Sequence, residues 1–139
     1  MQQPRPPILV AAGKRRLAEL AAREADIIAL GIPPTETEAQ ITERIGWIRE
    51  AAGSRFDQIE LNLNLMAVGQ QVPRWIAGQM GLTAEGLTRA GAVSAVTGTT
   101  DEMVDTLQRR RERLGISYIA VGDELMDGLA PVVERLAGR

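Results

Sequence analysis

The sequence predicts an α/β protein built on parallel strands, and three observations carry that prediction. Short apolar runs recur at Ile8–Ala12, Asp26–Gly31, Gln58–Gly69 and Ile116–Val121. A segment of helical periodicity follows each run. No Asn-Gly or Asp-Gly hairpin turn joins any two of them, so each connection is a crossover and the strands run parallel. At 139 residues the chain is the length of one domain. The expected organisation is therefore one domain over residues 1–139, with residues 70–92 as an inserted helical segment.

The first unit opens after a Pro-rich lead-in, Pro4, Pro6 and Pro7, which cannot pair in a central strand. The strand Ile8–Ala12 breaks at Gly13, and a helix is expected from about Lys14 to Ala25 with Leu17, Leu20 and Ala21 inward. A strand that turns through a small-residue loop into a helix N-terminus presents outward N–H groups, and the helix dipole favours an anion there. Lys14, Arg15 and Arg16 add full positive charge at that turn. Two readings stand side by side: a phosphate site, or an ordinary strand–helix turn with a solvated basic first turn.

The second strand, Asp26–Gly31, precedes a loop with Pro33 and Pro34 and a helix from about Thr37 to Ala52. Ile41, Ile45, Ile48 and Ala52 mark the inward face of that helix, and Gly53 stops it. Gln58 to Gly69 alternates cleanly. Ile59, Leu61, Leu63, Leu65 and Ala67 share one face, and Glu60, Asn62, Asn64, Met66 and Val68 the other. In a two-layer fold the polar set faces water; in a barrel it faces the lumen and marks a polar network or a ligand site. Short helices are expected near Arg74–Met80 and Thr83–Arg89, anchored by Trp75 and Ile76.

Thr99–Glu102 is a capping box, and it opens a helix to Leu114 with Met103, Val104, Leu107 and Leu114 inward. Arg109, Arg110, Arg111 and Arg113 crowd its end, near the favourable pole of the dipole, and read as a solvated outer face. After the last strand, a closing helix from Met126 to Ala137 turns Leu129, Val132, Val133 and Leu136 inward, with Pro131 in its first turn or at a kink.

Composition narrows the function. The net charge of −2 does not imply nucleic acid as a partner, and none is expected. No apolar run is long enough to span a membrane, and the N-terminus has no signal-peptide core, so a cytoplasmic protein is expected. The chain contains neither cysteine nor histidine. Ser-His-Asp and Cys-His catalysis and any Cys- or His-ligated metal are thereby excluded within it. Chemistry would run on carboxylates, on Lys14 (the sole lysine), on a bound cofactor or on another chain.

Several segments taken together resemble a known family. Pro6-Pro-Ile-Leu-Val-Ala-Ala-Gly-Lys-Arg-Arg-Leu17, Ala21-Ala-Arg-Glu-Ala-Asp26, Thr42-Glu-Arg-Ile-Gly-Trp-Ile-Arg-Glu-Ala-Ala-Gly53 with Ile59-Glu-Leu-Asn62, Thr97-Gly-Thr-Thr-Asp-Glu-Met-Val-Asp-Thr-Leu107 and Gly115-Ile-Ser-Tyr-Ile119 follow the family's order. They resemble the second half of the bacterial luciferase-like flavin- and deazaflavin-dependent oxidoreductases, nearest the actinobacterial deazaflavin branch. The resemblance implies a half TIM barrel, four βα units of a (β/α)8 fold that needs about 250 residues. It implies hydride transfer between the deazaflavin coenzyme F-420, or FMN, and an organic substrate. The cofactor-binding residues carried over are Ala11, Ala12, Gly13, Lys14 and Arg15, with Asn62 and Asn64 lining the site. Where the family has several glycines, this chain has Ala11-Ala12-Gly13. No catalytic acid or base is assigned, although Glu60 is the best placed. A half-barrel leaves two strand edges open, so a homo-oligomer or a separate first-half chain is expected. The alternative function is a non-catalytic half-barrel that self-associates and binds cofactor weakly or not at all.

Overall fold

The computed structural model describes residues 3–138. In chain order the elements are β1 (Leu9–Ala12), α1 (Arg15–Glu24), β2 (Ile27–Leu30), α2 (Glu38–Ala52), β3 (Glu60–Asn64) and β4 (Ala67–Val68). They continue with α3 (Arg74–Met80), α4 (Ala84–Arg89), β5 (Ala95–Val96), α5 (Thr100–Leu114), β6 (Ile116–Ala120) and α6 (Met126–Leu136). β1, β2, β3 and β6 form one parallel sheet in that order. Parallel crossovers are right-handed. When strand order also follows chain order, every crossover helix is laid on the same face of the sheet. The four strand–helix units expected from the sequence are these, with α3 and α4 falling inside residues 70–92.

Alternation sorts each strand between its two faces. Ile28 and Leu30 of β2 and Leu61 and Leu63 of β3 are buried beneath the helices. From the helix side, Ile41, Ile45 and Ile48 of α2 and Met103 and Leu107 of α5 meet them. Each fully buried aliphatic side chain contributes about 1.5–3 kcal/mol, and with so few aromatics the core rests on these. Both long crossover helices begin at complete capping boxes, Thr37–Gln40 for α2 and Thr99–Glu102 for α5.

Five local expectations need correction. The run Gln58–Gly69 is two strands, because its partner changes. The Leu65 amide still bonds Ala120, but the Met66 amide bonds Ser94 and the Gly69 amide bonds Val96, so β4 pairs with β5 in a separate small sheet. In α1 the buried residues are Ala18, Ala21 and Ala22, whereas Leu17 and Leu20 are exposed. Alanines let α1 lie close to both the sheet and α2, and the larger leucines fall on the flank turned away from α2. Val133 of α6, expected inward, is exposed, and in α3 only Ile76 is buried while Trp75 is exposed. Pro131 lies inside α6 rather than in its first turn.

Asp26, expected at the start of a strand, instead ties the N-terminal segment down. Its carboxylate accepts two hydrogen bonds from Arg5, at 2.7 and 3.0 Å, and one from the Ile8 amide at 2.7 Å. The Arg5 hydrogen bond, followed by the Ile8 amide, holds the Asp26 carboxyl below its ordinary value. Among the described residues no helix is long and apolar enough to cross a membrane.

Candidate functional site

In parallel α/β folds, ligands bind at the C-terminal ends of the strands. Here that end carries the turn from β1 into α1. Lys14 is the N-cap of α1, in extended conformation, and no side chain caps the helix. Among the described residues, the first-turn amides are therefore unmatched by any side-chain carboxylate or hydroxyl. The first turn holds no acidic residue, and Lys14, Arg15 and Arg16 are all exposed.

Gly13 has a packing role beyond any ligand. A Cβ placed on it would come within 2.7 Å of the Gly31 carbonyl oxygen, because the exits of β1 and β2 touch through these two glycines. The contact is braced from α2. Arg44 donates to the Gly13 carbonyl and, at 2.5 Å, to Glu36 Oε1. Glu36 is only 6% exposed, and its second carboxylate oxygen has no hydrogen-bond partner. The guanidinium of Arg44 also lies 5.7 Å from the centre of the Trp47 ring. Arg15 turns to the same ring, at 5.9 Å, and bonds Glu19 at 2.9 Å with Glu50 nearby at 3.8 Å. Its charge is thus directed along the α1–α2 surface, leaving Lys14 and Arg16 at the mouth of the turn.

The face of the sheet opposite the helices is layered by register. Leu9, Ile27 and Glu60 form the layer at the N-terminal ends of the strands. Ala11, Ala29, Asn62 and Tyr118 form the next, and Asn64 and Ala120 the layer at the C-terminal ends. Ala11 is exposed on this face, whereas Ala12 is buried against the helices. Asn62 is 3% exposed, and its amide donates to the Tyr118 carbonyl at 3.2 Å beside an irregularity in the β3–β6 register. Asn64 is exposed and lies two strands from Gly13, about 10 Å by strand spacing. Of the residues singled out in the sequence, Gly13, Lys14 and Asn64 thus share the C-terminal end, Ala11 and Asn62 lie one layer below, and Glu60 lies at the far end. Its place there removes the ground for preferring Glu60 as acid or base.

Sequence reasoning missed the Glu36–Arg44 brace and a buried cation. Arg110 is 6% exposed; it bonds Glu38 at 3.1 Å and the Ala95 carbonyl at 3.2 Å, fastening α5 to α2 and β5. Burial pushes its guanidinium below the ordinary arginine value, and the Glu38 hydrogen bond opposes that shift. The expectation of a solvated arginine face is therefore wrong at this position. A clue was available: 103, 107, 110 and 114 share one helical face, and the other three are apolar. Nothing in the spacing of Glu36 and Arg44 marks them as a pair.

Taken together, the singly wound parallel sheet and its helices define an α/β fold. Two solved structures are similar to the chain in fold. A long-chain alkane monooxygenase, LadA, superposes with a TM-score of 0.63 at 16% identity, over 94% of this chain and 41% of its own. The monooxygenase RslO1 from Streptomyces bottropensis superposes with a TM-score of 0.61 at 22% identity, over 97% of this chain and 48% of its own. At such identities the likeness is one of fold, and the chain spans less than half the length of either structure. No protein-family model and no curated protein matches the sequence.

Proposed function

We propose that the chain is the second half of a luciferase-like (β/α)8 oxidoreductase barrel and contributes the phosphate-holding part of its cofactor site. The observation that carries this reading is the β1–α1 turn. An uncapped, wholly basic helix N-terminus stands at the C-terminal edge of the sheet, where the fold type puts its ligands. The residues present fit a phosphate. The α1 amides and Lys14 supply donors, Arg16 supplies charge, and the Ala12 methyl, buried under the helices, leaves the approach open. FMN or the deazaflavin F-420, once bound, would supply hydride chemistry toward an organic substrate. The protein's part is placement. Ala11 offers a small side chain beneath the cofactor, Asn64 a polar group at the strand end, and Asn62 holds β6 in register. Arg15 acts at long range, from its position over Trp47.

Titrating the purified protein with FMN and, separately, with the deazaflavin, followed by fluorescence, tests this. Micromolar binding of either, weakened about tenfold by Lys14→Ala, is expected from the loss of one charge-assisted hydrogen bond. Absence of binding by the folded protein overturns it. A second reading, a self-associating unit without cofactor, draws support from Gly13, whose close contact with Gly31 accounts for the glycine without a ligand.

A further inference from the structure

We infer that Arg44, held by Glu36, is a positioning residue for the β1–α1 turn: it fixes the peptide between Gly13 and Lys14 so that the Lys14 amide is presented to a phosphate. The inference rests on the phosphate reading of that turn and adds the residues that orient it.

The need for a brace follows from Gly13. Its contact with the Gly31 carbonyl leaves no room for a side chain. A glycine also frees the rotation of the peptide that follows it. The plane between residues 13 and 14 can then show either its carbonyl or its amide to the open side of the turn. An anion is repelled by the first and bound by the second. Arg44 removes the choice, because its Nη1 donates to the Gly13 carbonyl and so turns that oxygen toward α2. In a planar trans peptide the C=O and the N–H point in opposite directions. The Lys14 amide is therefore directed away from α2, where it joins the uncapped first-turn amides of α1.

Arg44 is held in its turn. Its Nε donates to Glu36 Oε1 at 2.5 Å, and its guanidinium lies against Trp47. Glu36 is fixed through its own backbone: its amide donates to the Pro33 carbonyl at 3.1 Å, and its carbonyl accepts from the Val93 amide at 2.8 Å. The Ser94 hydroxyl donates to the Pro34 carbonyl of the same loop at 2.6 Å. The direction of one peptide at the exit of β1 is thus set from the loop before α2 and from the segment leading into β5. A buried ion pair with an unpartnered carboxylate oxygen, such as Glu36 Oε2, is a poor source of stability. Its charges cancel, so it lends the turn no net attraction for an anion either. What the pair supplies is orientation.

Glu36→Gln with Arg44→Met removes the brace without changing the net charge. In amide-resolved NMR of the parent protein, inorganic phosphate or FMN is expected to shift the Lys14 amide together with the first-turn amides of α1. In the paired variant the FMN dissociation constant should rise about tenfold, as for the loss of one hydrogen bond to a charged group. The Lys14 amide should stop responding while the other first-turn amides still move. Arg44→Lys, which keeps the charge but not the planar fork, should bind with an affinity between the two. Parent-like affinity in a natively folded paired variant, or a parent-like Lys14 response in it, overturns the inference and leaves the phosphate reading intact. Should the paired variant fail to fold, parent-like affinity and Lys14 response in Arg44→Lys overturn it instead. If no turn amide of the parent protein responds to either probe, the phosphate reading falls, and the inference falls with it.

Discussion

Gly13 and Gly31 close the exits of β1 and β2 onto each other, with 2.7 Å between a Cβ at Gly13 and the Gly31 oxygen. The obstacle is backbone, so Gly13→Ala must push two strand ends apart. A loss of about 1–3 kcal/mol in urea unfolding is expected, as for other overpacking changes. Asp26 sets a pH dependence. Its carboxyl titrates below its unfolded value, so the stabilisation is present above about pH 4, the unfolded range. It is lost as pH falls through the lower folded value. Asp26→Asn should accordingly lower Tm at neutral pH, and the gap to the parent protein should narrow as pH drops below 4. A gap independent of pH would rule out the Arg5 and Ile8 bonds as its source. The glycine was legible in the sequence as a turn, whereas its reason was not: Gly31 is eighteen residues away and reaches Gly13 only once the strands pair.

Among the elements, α5 shows how periodicity and charge compete. Met103, Leu107 and Leu114 were legible as its inward face, but Arg110 on that same face was hidden by the charge of its neighbours. Arg110→Ala should cost about 1–3 kcal/mol, because the Ala95 carbonyl and Glu38 lose their donor in a buried place. Thr99→Ala should cost about 1 kcal/mol by opening the capping box. Thermal or urea unfolding of the two variants would rank them. The helix α1 teaches the opposite lesson. Its leucines have helical spacing, yet its alanines are buried, because spacing defines a stripe and only the neighbouring elements decide which stripe faces in.

The main sheet of the molecule is wound in one direction, with helices on one face; the other face carries Leu9, Ile27 and Glu60 at the N-terminal ends of the strands and Ala11, Ala29, Asn62, Tyr118 and Asn64 toward the C-terminal ends. β1 and β6 are the outer strands of that sheet, and β4 and β5 form a second, smaller one beside it.

By itself, the sequence determined the α/β class, the four strand–helix units, the Thr99–Glu102 capping box and the basic turn after β1. All of these are written in local periodicity and in neighbours within a few residues. Tertiary structure alone decided the partner change that splits β3 from β4, the burial of Arg110, the Glu36–Arg44 brace and the separation of Glu60 from the C-terminal end. Each of these depends on residues eight to seventy-two positions apart in the chain, brought together by strand register and helix docking. A chain of alternating strands and helices fixes what each element is; which faces and ends of those elements meet is a property of their packing.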